Sequence, residues 1–387
     1  MTTSARARRS PERARRLFAL CAVLGAAVSA CGCASDAPRG GESPTAESTG
    51  GSTAEAPATG ASAGDTAHST ASRETNASAA PGTSPASSAS PVRFEALLTI
   101  GPDQVLGSAP LRGPRGLSLD HRKRLYIVDS DNDRIVILDP AGRFEAEFGR
   151  FGTEDGQFLG PTDVTAREGF FSYVVDSENE RVQKFDRFRA FVDVVFTRGG
   201  NGGAYGTPHG VEIDDDGRLY VADTEQHTVW IIDSFRGVLV LQIGGFGTEA
   251  GRFDEPTDVA IGRGREIFVA DAGNARVQVF GRLGGFLAEF DGSGGATSAE
   301  GVAGAAAFRR PVAVACDRRG VIYVADPAAG RVAVTDPRGK PLAELRMADL
   351  PAPSGLAFDG VDLLYVSDAE SGAVRSFRVI VDEALGD

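Results

Sequence analysis

Cysteine, tryptophan, methionine and histidine are all scarce in this 387-residue sequence, which holds four, one, two and four of them. The cysteines are Cys21, Cys31, Cys33 and Cys316, a spacing that fits neither a disulfide framework nor a tetrahedral zinc site. Only His121, His209 and His227 fall beyond residue 91, which weakens a histidine-based metal site without closing it. No apolar run is long enough to span a bilayer, which takes about 20 residues, since the longest candidate is the twelve-residue stretch LFALCAVLGAAV at 17–28. There is no Gly-rich phosphate loop, nucleophile elbow or CxxC pair. Basic excess is missing too: beyond residue 91 there are 32 Lys and Arg against 46 Asp and Glu. Phosphate binding generally needs a basic stripe to release counterions, so the charge speaks against a nucleic-acid partner and none is expected, with a local basic patch left open.

What is present divides the chain in three. Residues 1–16 carry six arginines, and the twelve-residue apolar stretch follows, so residues 1–30 read as a secretory signal. After it stands VSAC, ending at Cys31, which resembles a bacterial lipobox, whose cysteine thiol is lipidated and becomes the mature N-terminus. The resemblance implies a membrane anchor at Cys31 and an extracytoplasmic location at a bacterial cell envelope. Arg15-Arg16-Leu17-Phe18 resembles a twin-arginine signal, so the Sec and twin-arginine routes both stay open. Residues 31–91, with text such as GESPTAESTGGSTAEAPATG, have no hydrophobic period to bury and predict a disordered tether. Its expected reach is about 40 Å, from ~5–6 Å times the square root of its length.

From residue 92 to 387 one unit is read six times. Its anchor is an apolar strand closing on aspartate, at Asp129, Asp176, Asp223, Asp271, Asp326 and Asp368, with spacings of 47, 47, 48, 55 and 42. Each anchor follows a proline-led strand: GPRGLSLD, GPTDVTAR, TPHGVEID, EPTDVAIG, RPVAVACD and APSGLAFD. Between them lie hairpin turns such as DDDGR at 214–218. Third strands such as NERVQKFD and NARVQVFG come next, and fourth strands such as GRFEAEFG follow a further glycine turn. Four short antiparallel strands per unit mark a propeller blade, and glycine and proline at every junction exclude helical repeats.

The proline-led strand, the YVAD ending, the N-x-R-V-Q-x-F strand and connectors such as FGTEDGQF and FGTEAGRF together resemble the NHL-repeat family. The expected fold is therefore all-β, a six-bladed propeller of four-stranded antiparallel blades. The sixth unit lacks a clear fourth strand, and RFEALLTIG at 93–101 matches that strand elsewhere. The N-terminal segment is expected to join the last blade and fasten the ring.

Repeated side chains read as structural. The six anchor aspartates are expected to accept backbone N–H groups of the turn that follows each. Arg134, Arg181, Arg276 and Arg331, five residues after their aspartates, are expected to pair between blades, and Trp230 to pack between them. Cys316 reads as a buried free thiol, and His121 and His227 as solvated turn and rim residues. The departures from the repeat are where chemistry is sought. Behind the blade-opening prolines, blade 1 places Arg115, and blades 2, 3 and 4 place Asp163, His209 and Asp258 near one channel mouth, with Glu212 further along. Such a cluster can hold a metal or do acid/base work, although His209 is one residue out of step with the two aspartates.

The favoured reading is a monomeric, non-enzymatic binding scaffold whose loop face takes an envelope protein, a peptide or a glycan. No cofactor is expected, with room kept for a divalent ion in the channel held by Asp163, His209 and Asp258. The alternative is a metal-dependent hydrolase or lyase at the channel mouth, and a purely architectural envelope component is a third reading.

Overall fold

The computed structural model describes residues 90–294 and 307–382. The signal segment, Cys31 and nearly all of the predicted tether lie outside the described residues. Six four-stranded antiparallel sheets follow one another along the chain. Blade 1 runs from Pro114–Leu119 to Phe144–Phe148, blade 2 from Pro161–Thr165 to Phe191–Thr197 and blade 3 from Pro208–Ile213 to Val238–Gly244. Blade 4 runs from Pro256–Ile261 to Phe286–Phe290 and blade 5 from Ala313–Cys316 to Pro341–Leu345. The first strand of each blade lies beside the first strand of the next, and that of blade 6, Pro353–Phe358, returns to Pro114–Leu119. The molecule is a six-bladed β-propeller.

Blade 6 is built from both ends of the described chain. Its first three strands are Pro353–Phe358, Leu363–Asp368 and Ala373–Val381. The fourth is Val92–Ile100, antiparallel to Ala373–Val381 from Val92↔Val381 to Ile100↔Val374. A small hairpin of Val105–Leu106 and Ala109–Pro110 has no counterpart in the repeat.

Six apolar clusters hold the ring together, one at each seam between neighbouring blades. The strands supply them by turning alternate side chains to opposite faces. In blade 1, Leu125 and Ile127 enter the seam with blade 6, while Tyr126 and Val128 enter the seam with blade 2. Strands apolar on both faces therefore read as near-continuous hydrophobic runs, and each blade is covered on both sides by its neighbours.

The anchor aspartates work differently from the expectation. Their main backbone partner lies before the blade: the N–H of the residue 17 positions earlier donates to Asp129 (from Arg112, 2.7 Å), Asp176 (from Leu159, 2.7 Å) and Asp271 (from Asp254, 2.8 Å). Asp223 (from Gly206, 2.7 Å) and Asp326 (from Arg309, 3.0 Å) repeat the spacing. Among the described residues, backbone N–H bonds from the following turn reach Asp223 and Asp368, from Gln226 and Ser371. In blades 1, 2 and 4 the turn reaches back with a side chain, Asn132, Asn179 or Asn274.

The recurring arginines also depart from the reading. Arg134, Arg181 and Arg276 pair through Nε with the anchor aspartate of their own blade, at 2.6–2.8 Å, because the two residues face each other across adjacent strands. Blade 3 has Thr228 at the arginine position, and Trp230 donates its indole N–H to Asp223 at 2.9 Å instead. The same ring sits in the apolar seam between blades 2 and 3.

Candidate functional site

The first strand of each blade borders the central channel, so its inner edge has no strand to pair with. At the second residue after the opening proline the six blades read Gly116, Asp163, Gly210, Asp258, Ala313 and Gly355. The glycines admit the neighbouring strand. A Cβ on Gly116 would stand 2.5 Å from Asp163 Cα, and one on Gly210 would stand 2.5 Å from the Thr257 carbonyl oxygen.

The two aspartates bridge the seams that follow them. Asp163 accepts the Val164 N–H on Oδ1 and, across the seam, the Val211 N–H on Oδ2, both at 2.8 Å. Asp258 repeats the arrangement with Val259 and, on blade 5, Val314, again at 2.8 Å. Both carboxylates therefore supply acceptors to backbone N–H groups that no strand reaches. His209 makes the third tie, its Nδ1 bonding the Thr257 carbonyl at 2.9 Å, so Nδ1 carries the proton. Thr162 Oγ1 donates to the His209 carbonyl at 2.7 Å, and Ser354 Oγ to the Pro114 carbonyl at 2.8 Å.

Asp163, His209, Glu212 and Asp258 line one narrow segment of the channel, a cavity of about 50 Å³. Arg115 belongs instead to a groove with Asp131, Asp133 and Glu178 on the side where the first strands begin. Glu212 stands at the junction with a much larger cavity of about 730 Å³, walled by the turns between first and second strands. Its carboxylate accepts the Thr165 hydroxyl at 3.3 Å.

The enclosure disfavours charge on every one of these groups. Burial raises the Asp163 carboxyl well above its ordinary value, and the Asp258 charge adds to the shift. Burial pushes Asp258 up to about 7, against its two backbone N–H donors. Glu212 is raised by burial and partly held down by the Arg167 cation. Burial lowers His209, and the Arg115 and Arg310 charges act in the same direction. Cys316, whose Sγ donates to the Ile261 carbonyl at 3.1 Å, is pushed up to about 12 by burial and is inert as a nucleophile at neutral pH.

The segment thus holds three carboxyl groups biased toward the protonated form, Asp163, Glu212 and Asp258, and an imidazole biased toward the neutral one. It has room for about one water, whose share of liquid volume is ~30 Å³. Among the described residues, no group of three His, Cys, Asp or Glu side chains is placed to hold a metal ion.

A second feature went unread in the sequence. Phe170, Phe188 and Phe235 stand 65–67% exposed around an apolar pocket of about 310 Å³ at the tips of turns in blades 2 and 3. Arg187 lies over the Phe188 ring, 4.7 Å from its centroid. Beneath the pocket, Lys184 Nζ sits 4.1 Å from the Phe171 ring centroid and donates to the Ser234 carbonyl at 3.1 Å. The signal was a phenylalanine at a turn position that blades 1 and 5 give to Ala141 and Arg338.

The family model of the NHL repeat matches residues 206–232 and 253–280, in blades 3 and 4. No curated protein sequence matches the chain. Among solved structures, a gluconolactonase from Xanthomonas campestris is 13% identical with a TM-score of 0.54, over 74% of this chain and 99% of that one. The PQQ-bound aldose sugar dehydrogenase from Streptomyces coelicolor is 15% identical with a TM-score of 0.50, over 75% and 98%. A catalytically inactive virginiamycin B lyase from Staphylococcus aureus, solved with quinupristin, is 11% identical with a TM-score of 0.49, over 76% and 89%. At such identities the likeness is one of fold.

Proposed function

We propose, from the premise that this chain is an NHL-repeat propeller, that it serves as a binding scaffold held at the cell envelope by a lipid on Cys31. Its loop-bearing faces take a protein, peptide or glycan partner, and the protein works as a monomer. One observation carries the choice of scaffold over enzyme: the two aspartates and the His209 Nδ1 of the narrow channel segment are engaged in tying blade to blade. Each oxygen of Asp163 and of Asp258 already accepts a backbone N–H, and the His209 Nδ1 proton is given to a carbonyl. The cavity they share is about 50 Å³, narrower than the cavity of about 730 Å³ that it joins at Glu212.

The test is elemental analysis of the purified full chain before and after chelation. The scaffold reading expects no stoichiometric metal. Stoichiometric calcium or zinc, lost in Asp163→Ala, would overturn it in favour of a metal-dependent hydrolase or lyase at the channel. The anchor is tested separately by detergent-phase partition. The wild-type chain should enter the detergent phase and Cys31→Ser should not.

A further inference from the structure

Topology gives the propeller two unlike faces. Turns from first to second and from third to fourth strands lie on one face. Turns from second to third strands lie on the other, with the connectors between blades. On the first face the eleven turns hold 15 Lys and Arg against 11 Asp and Glu. On the second, the six turns between second and third strands hold six Asp and Glu and no Lys or Arg. The turns of the first face are thus net basic and those of the second net acidic, within a body that is acidic as a whole.

Three consecutive blades of the basic face carry the same departure at the turn between third and fourth strands. Residues 187–190 read RFRA, 234–237 read SFRG and 281–285 read GRLGG, four arginines and no acid. Phe188, Phe235 and Leu283 are 67%, 66% and 78% exposed at these tips. Arg187, Arg236 and Arg282 beside them are exposed as well. Arg236 has Asp233 at 3.6 Å, and among the described residues no carboxylate pairs with Arg187 or Arg282. Glu168 lines the apolar pocket beside Phe188 and Phe235, and the acidic turn Asp214 to Asp216 on blade 3 is partly neutralised, Asp216 by Arg265 and Asp215 by Arg167 at 3.8 Å. The Asp186 and Asp233 carboxylates that open two of the turns accept the turns' own N–H groups.

The chain also enters the body on this face. Val92 pairs with Val381 at the end of the third strand of blade 6, and Ser90 Oγ donates to the Leu342 carbonyl just past the turn of blade 5. We propose that this face seats on an anionic lipid surface: Phe188, Phe235 and Leu283 enter the headgroup layer, and Arg187, Arg236 and Arg282 meet the lipid phosphates. Apolar tips with flanking cations at the equivalent turn of three consecutive blades match a planar charged interface. The opposite, acidic face is then turned away from the bilayer and open to a partner. The setting at a membrane rests on the envelope reading above, while the affinity for lipid does not.

The experiment is co-sedimentation of the full chain carrying Cys31→Ser, so that no acyl chain contributes, with phosphatidylglycerol and with phosphatidylcholine vesicles at low salt. Binding to phosphatidylglycerol at least about ten-fold tighter than to phosphatidylcholine is expected, weakening as salt rises. The triple variants Phe188→Ser/Phe235→Ser/Leu283→Ser and Arg187→Glu/Arg236→Glu/Arg282→Glu should each lose at least about ten-fold of that affinity, with melting temperatures unchanged because all six side chains are exposed. Failure to bind phosphatidylglycerol, equal binding to both lipids, or full retention by the arginine variant overturns the proposal. If vesicles are ignored while the same variants lose a cross-link to an envelope protein, the face is a protein interface and the lipid proposal falls. Loss of detergent partition by the wild-type chain would remove the anchor alone and leave this result standing.

Discussion

At the residue scale the molecule is held by buried carboxylates, and each is sustained by the donors around it. Among the described residues no arginine pairs with Asp223, which relies on Gly206, Gln226 and Trp230; burial raises its carboxyl above the ordinary range. Trp230→Phe keeps a ring in the apolar seam and removes the indole donor. It should cost about 1–3 kcal/mol in a denaturant titration, the penalty of an unsatisfied buried acceptor. The channel acids give a pH signature. Asp258 sits at about 7 in the folded chain, against about 3.9 for an unfolded aspartate, so the folded state holds its proton more tightly. Its contribution is full below about pH 4 and is lost as pH rises through about 7, so the melting temperature should fall by a few degrees over that window. Asp163 and Glu212 act with the same sign, and His209, lowered by burial, acts against them as pH falls through about 6.5. Asp258→Asn should flatten the slope whatever it does to absolute stability, and an unaltered slope in a series of thermal melts would refute the assignment. The six aspartates were legible from their recurrence; their partners were not, because a donor 17 residues upstream is brought into reach only by the fold.

At the element scale, strand positions were readable because proline opens and aspartate closes them at a near-constant interval. Where one strand meets the next blade, the decisive chemistry is the absence of a side chain. Gly116→Ala and Gly210→Ala each press a Cβ on the backbone of the adjoining first strand. Each should destabilise the body by roughly 1–3 kcal/mol, read as a lowered denaturation midpoint. A glycine alternating with aspartate is visible in the six aligned strands, but its meaning is not, since it depends on how closely the strands approach around the channel. Likewise the nearness of Asp163, His209, Glu212 and Asp258 followed from repeat alignment. Their engagement with the next blade's N–H groups is a property of the ring. The hairpin at Val105–Leu106 and Ala109–Pro110 escaped because two-residue strands outside the repeat carry no period to detect.

At the scale of the whole molecule, the six apolar seams make each blade depend on two neighbours, so a loss at one place should be felt all round. Deleting residues 92–100 uncovers the strand Ala373–Val381 and removes Ile100 and Val92 from two seams. The variant should melt well below the parent in one transition, and an unchanged melting temperature by calorimetry would show that strand to be dispensable. The charge asymmetry of the two faces was present in the sequence as turn composition, yet invisible until the strands fixed which turns share a side. Blade 6 carries one more consequence, in time. A ribosome makes Val92 long before Val381, so the earliest strand of the body has no partner until the latest one is made. The final sheet then spans nearly the whole sequence separation of the described chain, the kind of contact that slows folding. The ring therefore cannot close until the strand Ala373–Val381 has been made.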